Sequence, residues 1–249
     1  MVPVPVELTA DLGELPGPEG RRHDEQLLRS LTTAHIACGG HAGDLASMAA
    51  SVDACGRHGV RIGAHPSYPD RDGFGRRSLG LDPAAVAASV VGQVVDLREV
   101  AAATGRPVSS VKPHGQLYHD LSADLGLAEV VLGALREAEV PEVLLAAGSP
   151  AAELGRALGL VVGAEGFCDR RYDAAGSLVA RGQPGAVLED PAEAAAQAVA
   201  LVADGLVVDG TAHRVTSLCV HSDSPGAVAI LEAVRAVLEA GPASLATFG

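Results

Sequence analysis

Basic residues are scarce in this sequence: 18 lysine and arginine residues face 31 acidic residues, and the formal net charge is −13. Proteins that bind nucleic acid or anionic membranes need a basic surface, whereas the cations here are scattered singly or in pairs. No apolar run approaches the roughly 18 residues that a membrane span requires. We therefore expect neither a nucleic-acid partner nor a membrane partner.

Secretion signals and cysteine frameworks are also lacking. The N-terminus has neither the basic start nor the long apolar stretch of a signal peptide. The four cysteines lie far apart and form no C-x-x-C pair, so we expect neither a zinc ribbon nor a disulfide scaffold. These features predict a cytoplasmic protein.

Aromatic residues are few, with three Phe, three Tyr and no Trp. The core must therefore be packed mainly by Val, Leu, Ile and Ala. Most of the aromatic residues lie in short polar segments, and we interpret these as the walls of a pocket: Tyr68, Phe74, Tyr118, Phe167 and Tyr172.

Several common catalytic motifs are absent. The sequence has no G-x-x-x-x-G-K-[ST] phosphate loop, no G-x-G-x-x-G after a strand, no G-x-S-x-G elbow and no H-E-x-x-H. A free-standing P-loop ATPase or a Rossmann dehydrogenase is therefore disfavoured. The single lysine, Lys112, stands among 17 arginines, which favours a position that needs a compact ammonium rather than a planar guanidinium.

Short β-branched runs alternate with Ala-rich amphipathic segments along the whole chain. Seven β-α units of uniform composition predict a single α/β domain over residues 1–249. The architecture is either a (β/α) barrel or a doubly wound open sheet. The predicted strands are Val4–Leu8, Thr33–Ala37, Val60–Ala64, Ser110–Lys112, Val143–Ala147, Leu160–Ala164 and Val215–Val220.

Polar side chains at the strand ends favour the barrel. In a barrel the C-terminal ends of all strands converge on one face, whereas an open sheet uses only the two or three strands at its switch point. Six of the seven units carry reactive side chains there, so we predict an irregular, TIM-like (β/α) barrel with about seven β-α units. These side chains are Asp11, Glu14, His41, Asp44, His65, Asp70, Lys112, His114, Glu165, Asp169, His221 and Asp223.

The residue types in these segments suit acid–base chemistry and anion binding. A carboxylate at a strand end, such as Asp11, is a good general base or hard metal ligand. Arg71 and Arg76 could hold a carboxylate or phosphate through paired hydrogen bonds. The remaining histidines lie elsewhere and are interpreted as surface or structural residues: His23, His35, His58, His119 and His213.

Together, the motifs A-D-L-G-E (10–14), H-A-G-D (41–44), G-A-H-P-S (63–67) and V-K-P-H-G (111–115) resemble the lactam-utilisation (LamB/YcsF) family, whose bacterial members are the A subunits of 5-oxoprolinase. The similarity runs from about residue 6 to about residue 240. Thr9, Gly40 and Ser222 depart from the family pattern, in which Asn, an aromatic residue and Gly are usual. The resemblance implies an irregular β/α barrel similar to that of sugar deacetylases.

The resemblance also implies a reaction, the ATP-dependent hydrolysis of 5-oxo-L-proline to L-glutamate. The implied cofactor is ATP, and the implied partners are the 5-oxoprolinase subunits B and C. A five-membered lactam is an unstrained amide with a poorly electrophilic carbonyl. Phosphorylation of the carbonyl oxygen would create a good leaving group before water attacks.

The resemblance extends over longer segments, and candidate roles follow for residues within them. The segments are residues 9–14, 36–44, 63–76, 111–118, 165–181 and 219–226. We expect the catalytic residues to be Asp11, His65, Lys112, His114, Glu165 and His221. We expect the substrate or phosphate to be bound by Glu14, Arg71, Arg76, Tyr118 and Asp169. A divalent metal ion, if one is used, is expected at Asp11, His41 and His65.

Two other classes of function stay open from the sequence. A stand-alone metal-dependent amide hydrolase or deacetylase would cleave its substrate without a nucleotide. A non-catalytic scaffold subunit would leave the chemistry to its partners and would have no need for polar strand ends. The sequence is also compatible with a homo-oligomer.

Overall fold

The computed structural model describes residues 5–241 and 244–246. Val4, the first residue of the first predicted strand, and the two ends of the predicted domain lie outside these residues. The single domain over the whole chain stays a prediction.

The strands, in chain order, alternate with helices through most of the chain. They are β1 (Pro5–Leu12), β2 (Thr33–Ala37), β3 (Arg61–His65), β4 (Val108–Val111), β5 (Val143–Ala146), β6 (Val162–Phe167), β7 (Leu206–Val208), β8 (Thr211–His213), β9 (Ser217–Cys219) and β10 (Ser244–Leu245). The helices are α1 (Gly17–Leu28), α2 (Leu45–His58), α3 (Pro83–Ala102), α4 (Gly115–Ala123), α5 (Leu125–Glu137), α6 (Pro150–Ala157), α7 (Pro191–Ala203) and α8 (Ala227–Ala240).

The sheet closes on itself. Parallel strands run in the order β1-β2-β3-β4-β5-β6-β9, and β9 returns to pair with β1. Thr9 of β1 lies opposite Thr33 of β2 on one side and Cys219 of β9 on the other. The predicted barrel is confirmed, since a doubly wound sheet would leave two free edges. Strand β10 adds a short parallel pairing at the start of β1.

Four Asp-Pro or Ser-Pro pairs in the sequence predict the starts of helices. They begin at Asp82, Ser149, Asp190 and Ser224. Asp82, Ser149 and Asp190 each accept a backbone N–H from the first turn of a helix that opens with proline, as the Asp/Ser-Pro pairs predict. The helix start predicted at the fourth pair, Ser224-Pro225, was wrong. Gly226 precedes α8 in a left-handed conformation, while the Ser224 hydroxyl donates to Asp169 instead.

Some elements differ from the sequence-based expectation. The sequence pattern predicts helices near residues 23–31 and 122–139. In the structure α1 begins at Gly17, and α4 precedes α5, which covers most of the second predicted helix. The antiparallel hairpin β7–β8 was not predicted. The segment 167–185 has no clear periodicity in the sequence, which favours a lid or an irregular strand pair. In the structure it contains the antiparallel bridge Tyr172–Leu178. Of the helices within the described ranges, none has the length and apolarity to cross a bilayer.

A charged cluster lies at the start of the barrel strands, on the face opposite the strand C-termini. Arg61 pairs with Glu7, and its Nη2 atom is 4.0 Å from Oε2 of Glu142. Burial and the neighbouring Glu7 charge raise the pKa of Glu142 to about 7. The folded state therefore holds this proton more tightly than the unfolded chain, whose glutamates titrate near pH ~4.3.

This cluster predicts a pH-dependent gain in stability for Glu142→Gln. Stability of the natural chain should fall as the pH rises from about 4.5 to about 7, because the folded state must release a proton that it favours. The glutamine variant should therefore be more stable by about 2–3 kcal/mol at pH 8 and nearly unchanged at pH 4.5. Urea unfolding at the two pH values measures this. The exposed residue Glu129 provides the matched control, Glu129→Gln. Equal effects of Glu142→Gln at both pH values would contradict the assignment.

Candidate functional site

The C-terminal ends of the barrel strands surround a cavity of about 220 Å³. Its walls include many of the residues predicted from the six polar segments, which the barrel brings together from distant parts of the chain. The predicted residues that line it are Asp11, His65, Arg76, Lys112, His114, Tyr118 and His221.

Lys112 lies at the centre of a buried polar group. Its Nζ atom donates to Oδ1 of Asp11 at 2.8 Å and to Sγ of Cys219 at 3.0 Å, and it is 3.3 Å from Oε1 of Glu165. Burial opposes the charged ammonium, but the carboxylates of Asp11 and Glu165 outweigh it and raise the pKa of Lys112 well above its usual value. Lys112 therefore carries a fixed positive charge in a buried site.

Two buried groups beside Lys112 lack hydrogen-bond partners among the described residues. They are the carboxylate oxygens of Glu165 and the hydroxyl of Tyr118. Both side chains are buried, and buried polar groups in folded proteins are nearly always paired. Glu165 is not among the cavity-lining residues and forms an ion pair with Lys112, whereas Tyr118 lines the cavity, so the Tyr118 hydroxyl is the group suited to a polar ligand.

A second polar group, the His/Glu cluster, consists of Glu14, His41, His65 and His114. All four side chains are buried, and one ligand atom from each lies within 4.8 Å of the others. Nε2 of His41 is 2.9 Å from Oε1 of Glu14, and Nε2 of His65 is 3.0 Å from Nδ1 of His114. These separations are close to the ~3.3 Å edge of a tetrahedral shell with ~2.0–2.1 Å metal–ligand bonds.

The hydrogen bonds around this cluster fix the protonation of two imidazoles. Nδ1 of His65 is 2.7 Å from the carbonyl of Lys112, and Nε2 of His114 is 2.9 Å from the carbonyl of Phe74. A carbonyl only accepts, so these two nitrogens carry the protons. The other two, Nε2 of His65 and Nδ1 of His114, then face each other as lone pairs 3.0 Å apart. Such a contact is repulsive unless a cation lies between the lone pairs.

The cluster also favours neutral imidazoles, the form that binds metal. Burial is the largest influence on His41 and His114 and lowers the pKa of each to about 2. Three imidazoles and one carboxylate form a donor set suited to Zn²⁺ and similar divalent ions. The His/Glu cluster could therefore hold a metal ion.

The cluster differs from the metal set predicted from the sequence. His41 and His65 belong to it, and Glu14 and His114 complete it in place of Asp11. Asp11 instead bonds Lys112, with its Oδ2 3.4 Å from Nε2 of His65. Gly13 follows β1 with a left-handed φ of 73°, and this turn places Glu14 over the strand end.

His221 is held by a buried carboxylate. Oδ2 of Asp169 is 3.0 Å from Nδ1 of His221 and accepts the backbone N–H of the same residue at 3.1 Å. The ring of His221 stacks on Phe167, with the ring planes 14° apart. Asp169, predicted to bind substrate, is buried behind His221 and is not among the residues that line the cavity. Its position suits the orientation of His221, whose Nε2 is left for a ligand.

The two arginines expected to bind an anion lie in different places. Arg76 lines the cavity and pairs with Asp223 at 2.5 Å. Arg71 is exposed and donates to the carbonyls of Gly39 and Gly43 at 2.9 and 2.8 Å. Because Arg71 is not among the cavity-lining residues, its contacts indicate that it holds the loop that carries His41.

Three titratable residues that line the cavity were not predicted for the site. Arg170 and Arg181 line the wall, as does His119, which was interpreted as surface or structural. The signal for Arg170 was present in the polar segment after β6, next to Asp169. The sequence does not show which of its adjacent arginines, Arg170 and Arg171, points inward.

Comparisons with known proteins agree with this architecture. The LamB/YcsF family model matches residues 6–249. The chain is 43% identical to the 5-oxoprolinase A subunit of Methylococcus capsulatus, covering 98% of this chain and 96% of the relative. It is also 43% identical to the 5-oxoprolinase A subunit of Streptomyces avermitilis, with 98% and 99% coverage.

A solved structure gives the same result for the fold. The lactam utilization protein from Thermus thermophilus superposes with a TM-score of 0.88 at 35% sequence identity, over 98% of this chain and 100% of that one. The chain therefore belongs to the LamB/YcsF family, the lactam-utilisation family to which its motifs pointed.

Proposed function

We propose that this chain is the A component of a 5-oxoprolinase that hydrolyses 5-oxo-L-proline to L-glutamate with ATP and two partner subunits, B and C. The observation that carries the proposal is the buried group of Lys112, Asp11 and Glu165 at a cavity that also meets His65 and His114. The relatives named as 5-oxoprolinase components support the choice of substrate. A cavity of about 220 Å³ suits a small cyclic amino acid.

Lys112 supplies the positive charge that amide cleavage needs. When water adds to the phosphorylated carbonyl carbon and loses its proton, negative charge develops on the oxygen that it brings. A preorganised ammonium stabilises that charge most where bulk water is excluded. Asp11 holds the ammonium in place through its 2.8 Å contact. Phosphorylation by ATP makes the carbonyl carbon electrophilic enough for attack, which accounts for the nucleotide requirement.

His221 is suited to the proton transfer that completes ring opening. Water adds to the phosphorylated carbon and gives up a proton, the C–N bond breaks, and the ring nitrogen takes up a proton to leave as an amine. The acyl phosphate that remains is hydrolysed by a second water to L-glutamate and phosphate. With Nδ1 engaged by Asp169, Nε2 of His221 is the nitrogen available at the cavity to exchange a proton. In this proposal Tyr118, which lines the cavity, binds a polar atom of the substrate, and Glu165 holds Lys112 through their ion pair.

The His/Glu cluster is the second component of the proposed site. A divalent ion held there would polarise a carbonyl or lower the pKa of water. The four residues that would hold it are Glu14, His41, His65 and His114. The facing lone pairs of His65 and His114 are the observation that fits such an ion.

This cluster also favours one alternative, a stand-alone metal-dependent amide hydrolase. The two functions differ in their need for ATP and for partner subunits. An enzyme of the alternative class would open the lactam with the purified chain alone.

Reconstitution separates these functions. We expect glutamate release from 5-oxo-L-proline only when this chain, subunits B and C and ATP are all present, because the unactivated lactam carbonyl is a poor electrophile. Glutamate is measured by chromatography, with each component omitted in turn. Release by the chain without ATP would support the metal-dependent hydrolase and overturn the proposal.

A further inference from the structure

One part of the cavity wall is positively charged and contains three arginines. Arg76, Arg170 and Arg181 all line the cavity, in a chain that has only 18 basic residues and a net charge of −13. Arg76 and Arg181 share one carboxylate, Asp223, at 2.5 and 2.7 Å. The arginine wall, defined by these three arginines, therefore keeps an excess of positive charge.

Arg170 contributes half of this excess. It is only 6% exposed, yet within residues 5–241 and 244–246 no carboxylate lies within ion-pair distance of its guanidinium. Its Nε atom has no hydrogen-bond partner. The adjacent carboxylate, Asp169, is already engaged by His221 and Ser224. Burial and the charge of Arg181 lower the pKa of Arg170, as expected for a cation that lacks a counter-ion.

The position of Arg170 is fixed before any ligand arrives. Its Nη2 atom donates to the carbonyl of Val179 at 2.7 Å. Gln197 of α7 donates to the backbone carbonyls of Arg170 and Phe167, each at 2.7 Å. These bonds hold both ends of a residue that lines the cavity, so its guanidinium needs little further ordering to meet a ligand. A preorganised donor of this kind binds an anion at little entropic cost.

We propose that Arg170, supported by Arg181, is the subsite that binds the carboxylate of an amino-acid-derived lactam. The assignment rests on the proposed function, since it places the ring of that lactam towards Lys112. A guanidinium binds a carboxylate through parallel N–H donors, and here the anion replaces the missing counter-ion of Arg170. Phe167 and Leu178, which line the same cavity, supply apolar surface for the ring methylenes.

Calorimetric titration of the purified full-length chain tests this assignment. The ligands are 5-oxo-L-proline and 2-pyrrolidinone, which has the same ring without the carboxylate. We expect 5-oxo-L-proline to bind at least tenfold more tightly, because a hydrogen bond to a buried charged group is stronger than one between neutral groups. Equal affinities, or no detectable binding of either ligand, would overturn the proposal with no variant needed.

Variants then assign the preference to one residue. Arg170→Gln should remove the tenfold difference by weakening 5-oxo-L-proline alone, and Arg170→Lys should retain part of it. The matched control is Arg171→Gln, which removes the same charge one residue along the chain, where Arg171 is exposed and pairs with Glu193. A preference that survives in Arg170→Gln, with circular dichroism showing a folded chain, would contradict the assignment.

Inorganic phosphate is titrated in parallel. Phosphate that binds more tightly than 5-oxo-L-proline, and only when Arg170 is present, would assign the arginine wall to a phosphoryl group and overturn the carboxylate assignment. The titrations need neither ATP nor partner subunits. A carboxylate preference without glutamate release by the complex would contradict the proposed function alone, whereas glutamate release with equal lactam affinities would contradict the subsite alone.

Discussion

Replacing Lys112 by methionine is expected to lower glutamate formation by the reconstituted complex by roughly 10²–10³-fold, the usual cost of one lost electrostatic donor to a developing oxyanion. Methionine keeps most of the length of the side chain but carries no charge. The loss should appear in kcat, because the charge that Lys112 neutralises develops only during attack on the carbonyl. Steady-state assays over a range of 5-oxo-L-proline concentrations measure it.

The same substitution has a structural cost that must be measured separately. Without the ammonium, Asp11 and Glu165 are buried carboxylates with no cation at 2.8 or 3.3 Å. Removing one partner of a buried ion pair typically costs about 3–5 kcal/mol. Thermal unfolding should therefore show a lower melting temperature, and assays belong well below it. Lys112→Arg keeps the charge and serves as the control for folding.

The two variants together decide between an enzyme and a scaffold. If Lys112 acts as a compact charge, the arginine variant should be better folded than the methionine variant and still much less active than the natural chain, because a planar fork cannot take the same position. Unchanged glutamate formation in Lys112→Met would remove Lys112 from the reaction and support a scaffold role for this chain.

The barrel was predictable because its evidence is repeated along the chain. Each buried strand is followed by a polar segment, and a single rule about strand ends places these segments on one face. Asp11, His65, Lys112 and His221 line one cavity, although they are spread over two hundred positions. No individual motif carried that inference, which depended on six of them sharing a topological position.

Local turn chemistry was the part that pattern reading missed. The hairpin β7–β8 turns at Asp209 and Gly210, both with positive φ, and an Asp-Gly pair between β-branched residues is the usual signal for such a turn. That signal was present in the sequence. The contact between Glu14 and His41 was harder to predict, because nothing in the sequence near Gly13 shows that the turn there brings the Glu14 carboxylate to His41.

The roles of the arginines depend on tertiary contacts and could not be predicted. Arg71 and Arg76 occur in one loop with similar neighbours, yet Arg71 binds backbone carbonyls and Arg76 binds Asp223 at the cavity. A long, flexible arginine side chain can reach many hydrogen-bond partners, and the tertiary fold determines which partner it contacts. Arg170 is distinguished by its burial and by the lack of a carboxylate within ion-pair distance in the part of the chain that the structure describes.

The His/Glu cluster is expected to bind about one divalent metal ion per chain, and this can be measured without any assay of the reaction. The full-length chain is stripped with a chelator, incubated with Zn²⁺, dialysed and analysed by mass spectrometry. His114→Ala should lose stoichiometric metal, since Nδ1 of His114 faces the other donors within 4.8 Å. The matched control is His58→Ala, because His58 pairs with Glu25 at 2.7 Å on the surface, outside the cluster.

Thermal unfolding gives a second readout of the same binding. A ligand at a hundredfold excess over its dissociation constant stabilises a folded protein by about 2.7 kcal/mol, which raises the melting temperature of a chain of this size by roughly 5–10 °C. Zn²⁺ should produce this rise in the natural chain and in His58→Ala but not in His114→Ala. A proton shared between His65 and His114 would also relieve their facing lone pairs. That alternative requires no metal, so a chain that retains no Zn²⁺ and shows no rise in melting temperature would favour the shared proton and exclude the metal site.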